Sequence, residues 1–328
     1  MNEKDLSLLE QYDIKVIRTY RGRGSFVCET EQGILLFREY TGSETWAEAT
    51  GRMLKKIQDC GYLQVDTYIQ NMNGEILTKD KEGRSFLLKN WFEGKECDVK
   101  NKEEILDAVK NLAHLHQAMI MKKEEEQDRF VTENLLEEYT KHNREMKRVR
   151  SFIKTKRKKT DFEILFAKYF ERFWEQAKEV ENILLSMEPD KTCESVEKLC
   201  HGDYTQHNVL RLSGTEGMAT VNFDKMCFGS QMQDLYLFMR KILEKHNWDL
   251  QLGEQIVTCY NKNKGISKED EKQLFLRFSY PEKFWKLANH YYNSNKAWIS
   301  GKSIEKLEVV ALQDEEKEKF IRNLFSIS

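Results

Sequence analysis

The hydrophobic period of this chain shifts from strand to helix near Asn101, with one strand hairpin returning before Asp224, and that shift constrains its fold more than any other feature. As far as Trp91, apolar residues fall in short runs rich in β-branched and aromatic side chains, as strands require. From Asn101 onward they recur at helical spacing, with Ile105, Leu106, Val109, Leu112, Ala113 and His116 on one stripe. Strands first and helices afterwards predict an α+β architecture with an antiparallel sheet, since a parallel sheet would need the two kinds of element to alternate. Only two prolines, Pro189 and Pro281, interrupt the chain, so long helices are permitted through the second half and no Pro- or Gly-rich linker separates independent domains. The 328 residues fit two structural parts better than one compact unit.

Residues up to Glu10 read as a short helix. Strands follow at Ile14 to Tyr20, in a short run after Arg21 to Val27 that ends near Glu29, at Gly33 to Tyr40, Gln64 to Gln70, Glu75 to Lys79 and Arg84 to Trp91, a mostly antiparallel sheet of about five strands. One helix interrupts them, beginning near Ser43-Glu44, where a serine cap precedes acidic first-turn residues. Further helices are predicted over Asp128 to Phe152 and Asp161 to Leu185, and again from Met232 to the end. The aromatic stretch Pro281 to Trp298 reads as helix core.

A net charge of −2 predicts no bulk attraction to nucleic acid or anionic membrane. Lys147 to Lys159 is the one dense basic stretch, read as a solvated helix end and loop or as a patch for an anionic substrate or partner. No run of about 18 uncharged apolar residues occurs, and Met1-Asn2-Glu3-Lys4-Asp5 lacks a secretory pattern, so a cytoplasmic protein is expected. Seven cysteines without a C-x-x-C pair are expected to stay reduced, and His114 and His116 make a poor metal pair.

The chemistry concentrates in His201-Gly202-Asp203-Tyr204-Thr205-Gln206-His207-Asn208-Val209-Leu210 and, after a hairpin at Ser213 to Gly217, in Val221-Asn222-Phe223-Asp224. An aspartate, an asparagine five residues on, an apolar strand and a second aspartate form the set that phosphoryl transfer needs. Asp203 would orient the attacking hydroxyl, while Asn208 and Asp224 would hold Mg²⁺ on nucleotide phosphates. Asp234, near the start of the next helix, would cap it or brace the loop's backbone.

Arg21-Gly22-Arg23-Gly24-Ser25 is a glycine turn between strands, where Gly22 and Gly24 would let backbone approach phosphates, or simply form a turn. Arg38 lies one strand beyond, where a phosphate-gripping lysine is expected; no lysine occurs between Lys15 and Lys55, so Arg38 takes that role or it is vacant. Glu48, one turn into the helix, is its expected partner, with Glu44 the alternate. Trp91 and Phe92, where the last strand leaves the sheet, would border an adenine or pack in the core.

These motifs resemble the aminoglycoside and choline kinase-like superfamily. Three stretches, Trp91 to Asp98, Lys154 to Phe166 and Pro281 to Ser294, resemble more narrowly the CotS-type spore-coat proteins. The resemblance implies a bilobal protein-kinase-like α+β fold, with residues 1–92 as a small antiparallel nucleotide-binding lobe and 93–328 as a mainly helical lobe. It also implies ATP and Mg²⁺ as cofactors, a small-molecule acceptor of unassigned identity and deposition in the spore coat from the mother-cell cytoplasm, with other coat proteins as partners. Asp203 would be the catalytic base, Asn208 and Asp224 the metal ligands, and Gly22 and Gly24 the phosphate-covering turn. Arg38 in place of lysine, and Lys225-Met226 after Asp224 where protein kinases have glycine, depart from the pattern. The rival expectation is a coat scaffold that keeps the fold without turnover.

Overall fold

The computed structural model describes residues 2–22, 24–122, 130, 134–187, 196–215, 217–293 and 301–325. The strands are β1 (Val16–Gly22), β2 (Ser25–Thr30), β3 (Gly33–Tyr40), β4 (Tyr68–Ile69), β5 (Leu77–Lys79), β6 (Ser85–Asn90), β7 (Gly94–Glu96), β8 (Ile120–Lys122), β9 (Val196–Cys200), β10 (Val209–Leu212), β11 (Met218–Thr220) and β12 (Cys227–Phe228). The helices are α1 (Glu44–Asp59), α2 (Lys102–Ala118), α3 (Leu135–Thr155), α4 (Asp161–Ser186), α5 (Met232–Leu243), α6 (Leu250–Lys264), α7 (Lys268–Ser279), α8 (Glu282–Asn293) and α9 (Gly301–Leu324). This is the expected α+β kinase-like arrangement, an antiparallel sheet with one helix followed by a mainly helical part.

The chain forms two compact units. The first gathers Met1–Val131, Ser195–Phe238 and Cys259–Gly265; the second gathers Thr132–Glu194, Met239–Thr258 and Ile266–Ser328.

In the first unit a six-stranded sheet runs β1-β2-β3-β6-β4, with β5 also on β6. Its alternation buries both faces. Leu35, Phe37, Phe86 and Leu88 meet Leu9 and Tyr12 of an N-terminal 3₁₀ turn, while Tyr40 and Leu87 meet Ala47 of α1. Ser43 caps α1 by accepting from the Trp46 N–H, as its sequence predicts. The strand expected over Gln64 to Gln70 contracts to Tyr68–Ile69, because the Asp66 carboxylate turns inward to an ion pair and Val65 makes only an isolated bridge to Thr220.

Two three-stranded sheets frame the loops that carry chemistry. In β11-β10-β7, Gly94 lies against Arg211, so close that a Cβ would collide with its carbonyl. In β12-β9-β8, Cys227 faces Cys200. The segment 201–208 runs from β9 to β10, and 221–226 from β11 to β12.

The second unit is helical. Thr160 opens α4 with a capping box to Glu163, and an aromatic core joins α3, α4 and α8. Phe162 stacks on Tyr291 at 4.0 Å between centroids, Phe166 and Phe173 on Phe284 at 4.6 and 4.4 Å, and Tyr139 on Tyr280 at 3.7 Å. The expected start of α3 at Asp128 lies outside the described residues, as do Pro189 and the end of the aromatic stretch. Three cations of the basic stretch have partners within the unit: Lys147 lies over Trp174, Arg150 over Phe170, and Lys156 pairs with Glu163 at 2.7 Å, while Arg148, Lys154, Arg157, Lys158 and Lys159 are exposed.

Candidate functional site

The loop after β9 is held from behind by a buried carboxylate. Asp234, in the first turn of α5, accepts the N–H of His201 at 2.6 Å and of Gly202 at 2.9 Å, and meets His116 Nε2 at 3.2 Å. It braces the loop's backbone, the second of the two expected roles. Burial alone would raise the Asp234 carboxyl, but His116 and the backbone N–H groups hold it below the usual carboxylate range. Burial pushes the His116 imidazole down against the opposing pull of Asp234, and its Nδ1 meets the Tyr260 hydroxyl at 2.7 Å. His116, dismissed from sequence as a metal ligand, has this structural part instead.

Gly202 has φ +77°, and a Cβ there would fall inside the Lys225 carbonyl. Glycine therefore lets the Asp203 loop lie directly against the segment carrying Asp224. Across that contact Lys225 Nζ donates to Asp203 Oδ2 at 3.0 Å.

Asn208 closes the loop on itself. Its Nδ2 donates to the Asp203 carbonyl at 2.8 Å, and its Oδ1 accepts from Asn222 Nδ2 at 3.0 Å. Asn222 has φ +67°, a left-handed conformation that asparagine tolerates better than most residues. Its N–H donates to Asp66 Oδ2 at 2.8 Å, and its Oδ1 accepts from Lys89 Nζ at 2.9 Å. Lys89 and Asp66 form a pair at 2.6 Å with 1% of each side chain exposed. Burial pulls the Lys89 ammonium down, against the opposing pull of Asp66.

One cavity of about 580 Å³ is lined by Gly22, Arg38, Trp91, Asp203, Asn208 and Asp224, together with Asn222 and Lys225 among others. Six of the nine residues singled out from sequence thus converge. Gly24, Glu48 and Phe92 do not line it: Gly24 has φ +66° in the β1–β2 turn, and Phe92 is half-buried beyond β6. The expected Arg38–Glu48 pair does not form. Arg38 extends from β3 onto Asp224, whereas Glu48 faces solvent on α1 and meets Arg52 one turn on; the alternate, Glu44, pairs with Lys79. Asp224 takes the arginine because the carboxylate lies in the cavity that the guanidinium enters.

Sequence reading missed Lys89, Asp66, Asn222 and Lys225. A lysine inside the apolar run Phe86-Leu87-Leu88-Lys89 was an available signal, because a strand buried on both faces excludes an unpaired ammonium. Lys89 sits beside β3 on the neighbouring strand, in register with Leu36.

Among the described residues no group of three or more His, Cys, Asp or Glu side chains could hold a metal ion. Mg²⁺ does not require one, since one or two carboxylates with waters and phosphate oxygens complete its octahedron. The hard oxygen donors of Asp224 and Asn208 on a single cavity fit that ion.

The fold is that of known phosphotransferases. An aminoglycoside phosphotransferase from Alicyclobacillus acidocaldarius superposes with a TM-score of 0.82 at 15% identity, covering 97% of this chain and 94% of its own. Spectinomycin phosphotransferase APH(9)-Ia, in complex with ADP and spectinomycin, gives 0.70 at 13% identity over 98% of each chain. Amicoumacin kinase hAmiN, in complex with AMP-PNP, Ca²⁺ and Ami, gives 0.60 at 12% identity over 97% of this chain and 94% of its own. A family profile described as "Spore coat putative kinase YutH" matches residues 5–324. With nearly its whole length matched, this chain belongs to the YutH family of spore-coat kinase-like proteins.

Proposed function

We propose that this protein is an ATP- and Mg²⁺-dependent phosphotransferase acting on a hydroxyl of a small molecule, made in the mother-cell cytoplasm and serving in the spore coat. The observation that carries this reading is the convergence of Asp203, Asn208 and Asp224 on one cavity with Gly22, Arg38 and Trp91. Residues 1–92 would hold the nucleotide, with Trp91 beside the base and the Gly22 backbone over the phosphates; 93–328 would supply the catalytic loop.

Asp203 would accept the proton of the acceptor hydroxyl as its oxygen bonds to the γ-phosphorus. The bond to the bridging β–γ oxygen then breaks, and ADP leaves. Arg38 would bring its positive charge to the phosphate oxygens, exchanging its bond to Asp224 for them. Bound Mg²⁺ would neutralise charge on the phosphates from Asn208 and Asp224. Positioning and charge stabilisation account for most of such catalysis.

A second reading has one observation in its favour: Arg38 covers Asp224 and Lys225 covers Asp203, so both acidic groups are already neutralised from within. On that reading the chain is a coat scaffold without turnover. A spore-assembly defect separates the two. Rescue by wild type and failure by Asp203→Ala supports the enzyme; equal rescue by both supports the scaffold.

A further inference from the structure

Arg38 and Lys225 touch the cavity, but Lys89, a further cation near it, does not. Lys89 is sealed under Trp91, its ammonium 5.1 Å from that ring's centroid, and it does not line the cavity. It is therefore badly placed to grip a phosphate, and a buried pair of this kind commonly contributes little net stability against its desolvation cost. Its bonds point instead to the loop that carries the acidic residues.

From Lys89 a continuous path of hydrogen bonds reaches the proposed base. Lys89 holds the Asn222 side chain, and Asp66 holds the Asn222 N–H. Asn222 then holds Asn208, and Asn208 holds the Asp203 carbonyl. The path passes through the left-handed Asn222, a conformation that asparagine tolerates but that its partners on both the side chain and the N–H hold in place here. Asp224 lies two residues on, so the direction the backbone takes at Asn222 decides where its carboxylate points.

We propose that the buried Lys89–Asp66 pair is a positioning device that locks Asn222 in its left-handed conformation and thereby fixes Asn208 and Asp224 for metal-bound nucleotide. This rests on the phosphotransferase reading for its ligand, but not for the locking itself.

Removing Lys89 alone would strand a buried carboxylate, so the test neutralises both partners in Lys89→Met/Asp66→Asn. A second variant, Asn222→Gly, allows the positive φ while deleting the side-chain links. Calorimetry with ATP, with and without Mg²⁺, is combined with hydrogen exchange at the amides of Asn208 and Asn222. The expected result in both variants is faster exchange at those amides and a loss of about ten-fold or more in the tightening that Mg²⁺ confers, the range typical when groups supporting a metal ligand are removed. Metal-free binding by Lys89→Met/Asp66→Asn, whose residues lie off the cavity, should stay nearly unchanged. Folded variants that match wild type in exchange and in Mg²⁺ dependence overturn the proposal. Should the wild type bind no nucleotide, the phosphotransferase reading fails alone: faster exchange would still uphold the locking, and unchanged exchange would reject it.

Discussion

The two compact units both bury polar groups, but they use them differently. In the first, Lys89, Asp66, Asn222, Asn208 and Asp203 join in one path that ends at a cavity. In the second, buried polar groups close off locally: Glu163 caps its own helix and takes Lys156 and Tyr292, and Asp314 takes Arg172 and Gln176. Stacked aromatic rings and aliphatic side chains form the core around them. The contrast separates polar burial that orients reacting groups from polar burial that only satisfies hydrogen bonds. Substitutions in the first unit should therefore alter chemistry more than stability, and substitutions in the second the reverse.

The largest expected effect breaks chemistry alone. Asp203→Ala should lower phosphoryl transfer by about 10²–10⁴-fold, the usual contribution of a positioned base, with the melting temperature nearly unchanged. A steady-state assay beside a thermal melt reads both, and a fall in stability matching the fall in rate would erase the contrast. Next is its mirror image. Phe284→Ala removes a buried ring packed between Phe166 and Phe173 and should cost about 3–5 kcal/mol of stability while leaving the nucleotide affinity of folded protein intact.

A smaller effect appears with pH. Burial pushes His142, stacked 3.3 Å from the Trp285 ring centroid, down to about 4 from an ordinary 6.5. Its ring stays neutral in the folded state where the unfolded chain already binds a proton. Its contribution is complete above pH 6.5 and is lost as pH falls through 6.5 toward 4, at up to roughly 1.4 kcal/mol per pH unit. Denaturant titrations of wild type and His142→Phe should diverge across that window; parallel curves would show the ring to be accessible. The mildest change is Arg38→Lys, which keeps a cation beside Asp224 and should preserve turnover; collapse of activity would mean that the guanidinium fork is required.

Much of this was legible in the sequence because it is local. The run from His201 to Asn208 carries its spacing with it, the β1–β2 turn declares its glycines, and Ser43 and Thr160 announce their helices. What stayed hidden joins residues far apart in the chain. Arg38 and Asp224 meet across 186 positions, so helix spacing favoured the nearer Glu48, which solvent and Arg52 claim instead. The role of Lys89 was not legible in the sequence because its partners are distant: it stands on the strand beside β3, turned toward Asp66. The short strands β7, β8 and β12 are equally non-local, existing only where distant partners pair with them.

The most direct measurement is a calorimetric titration of the wild-type protein and Asp224→Ala with ATP and Mg²⁺. Saturable binding by the wild type, weakened by about 10–100-fold in the variant, is the predicted result for loss of a metal ligand. No detectable binding by the wild type, or equal affinity in both proteins, would contradict the account.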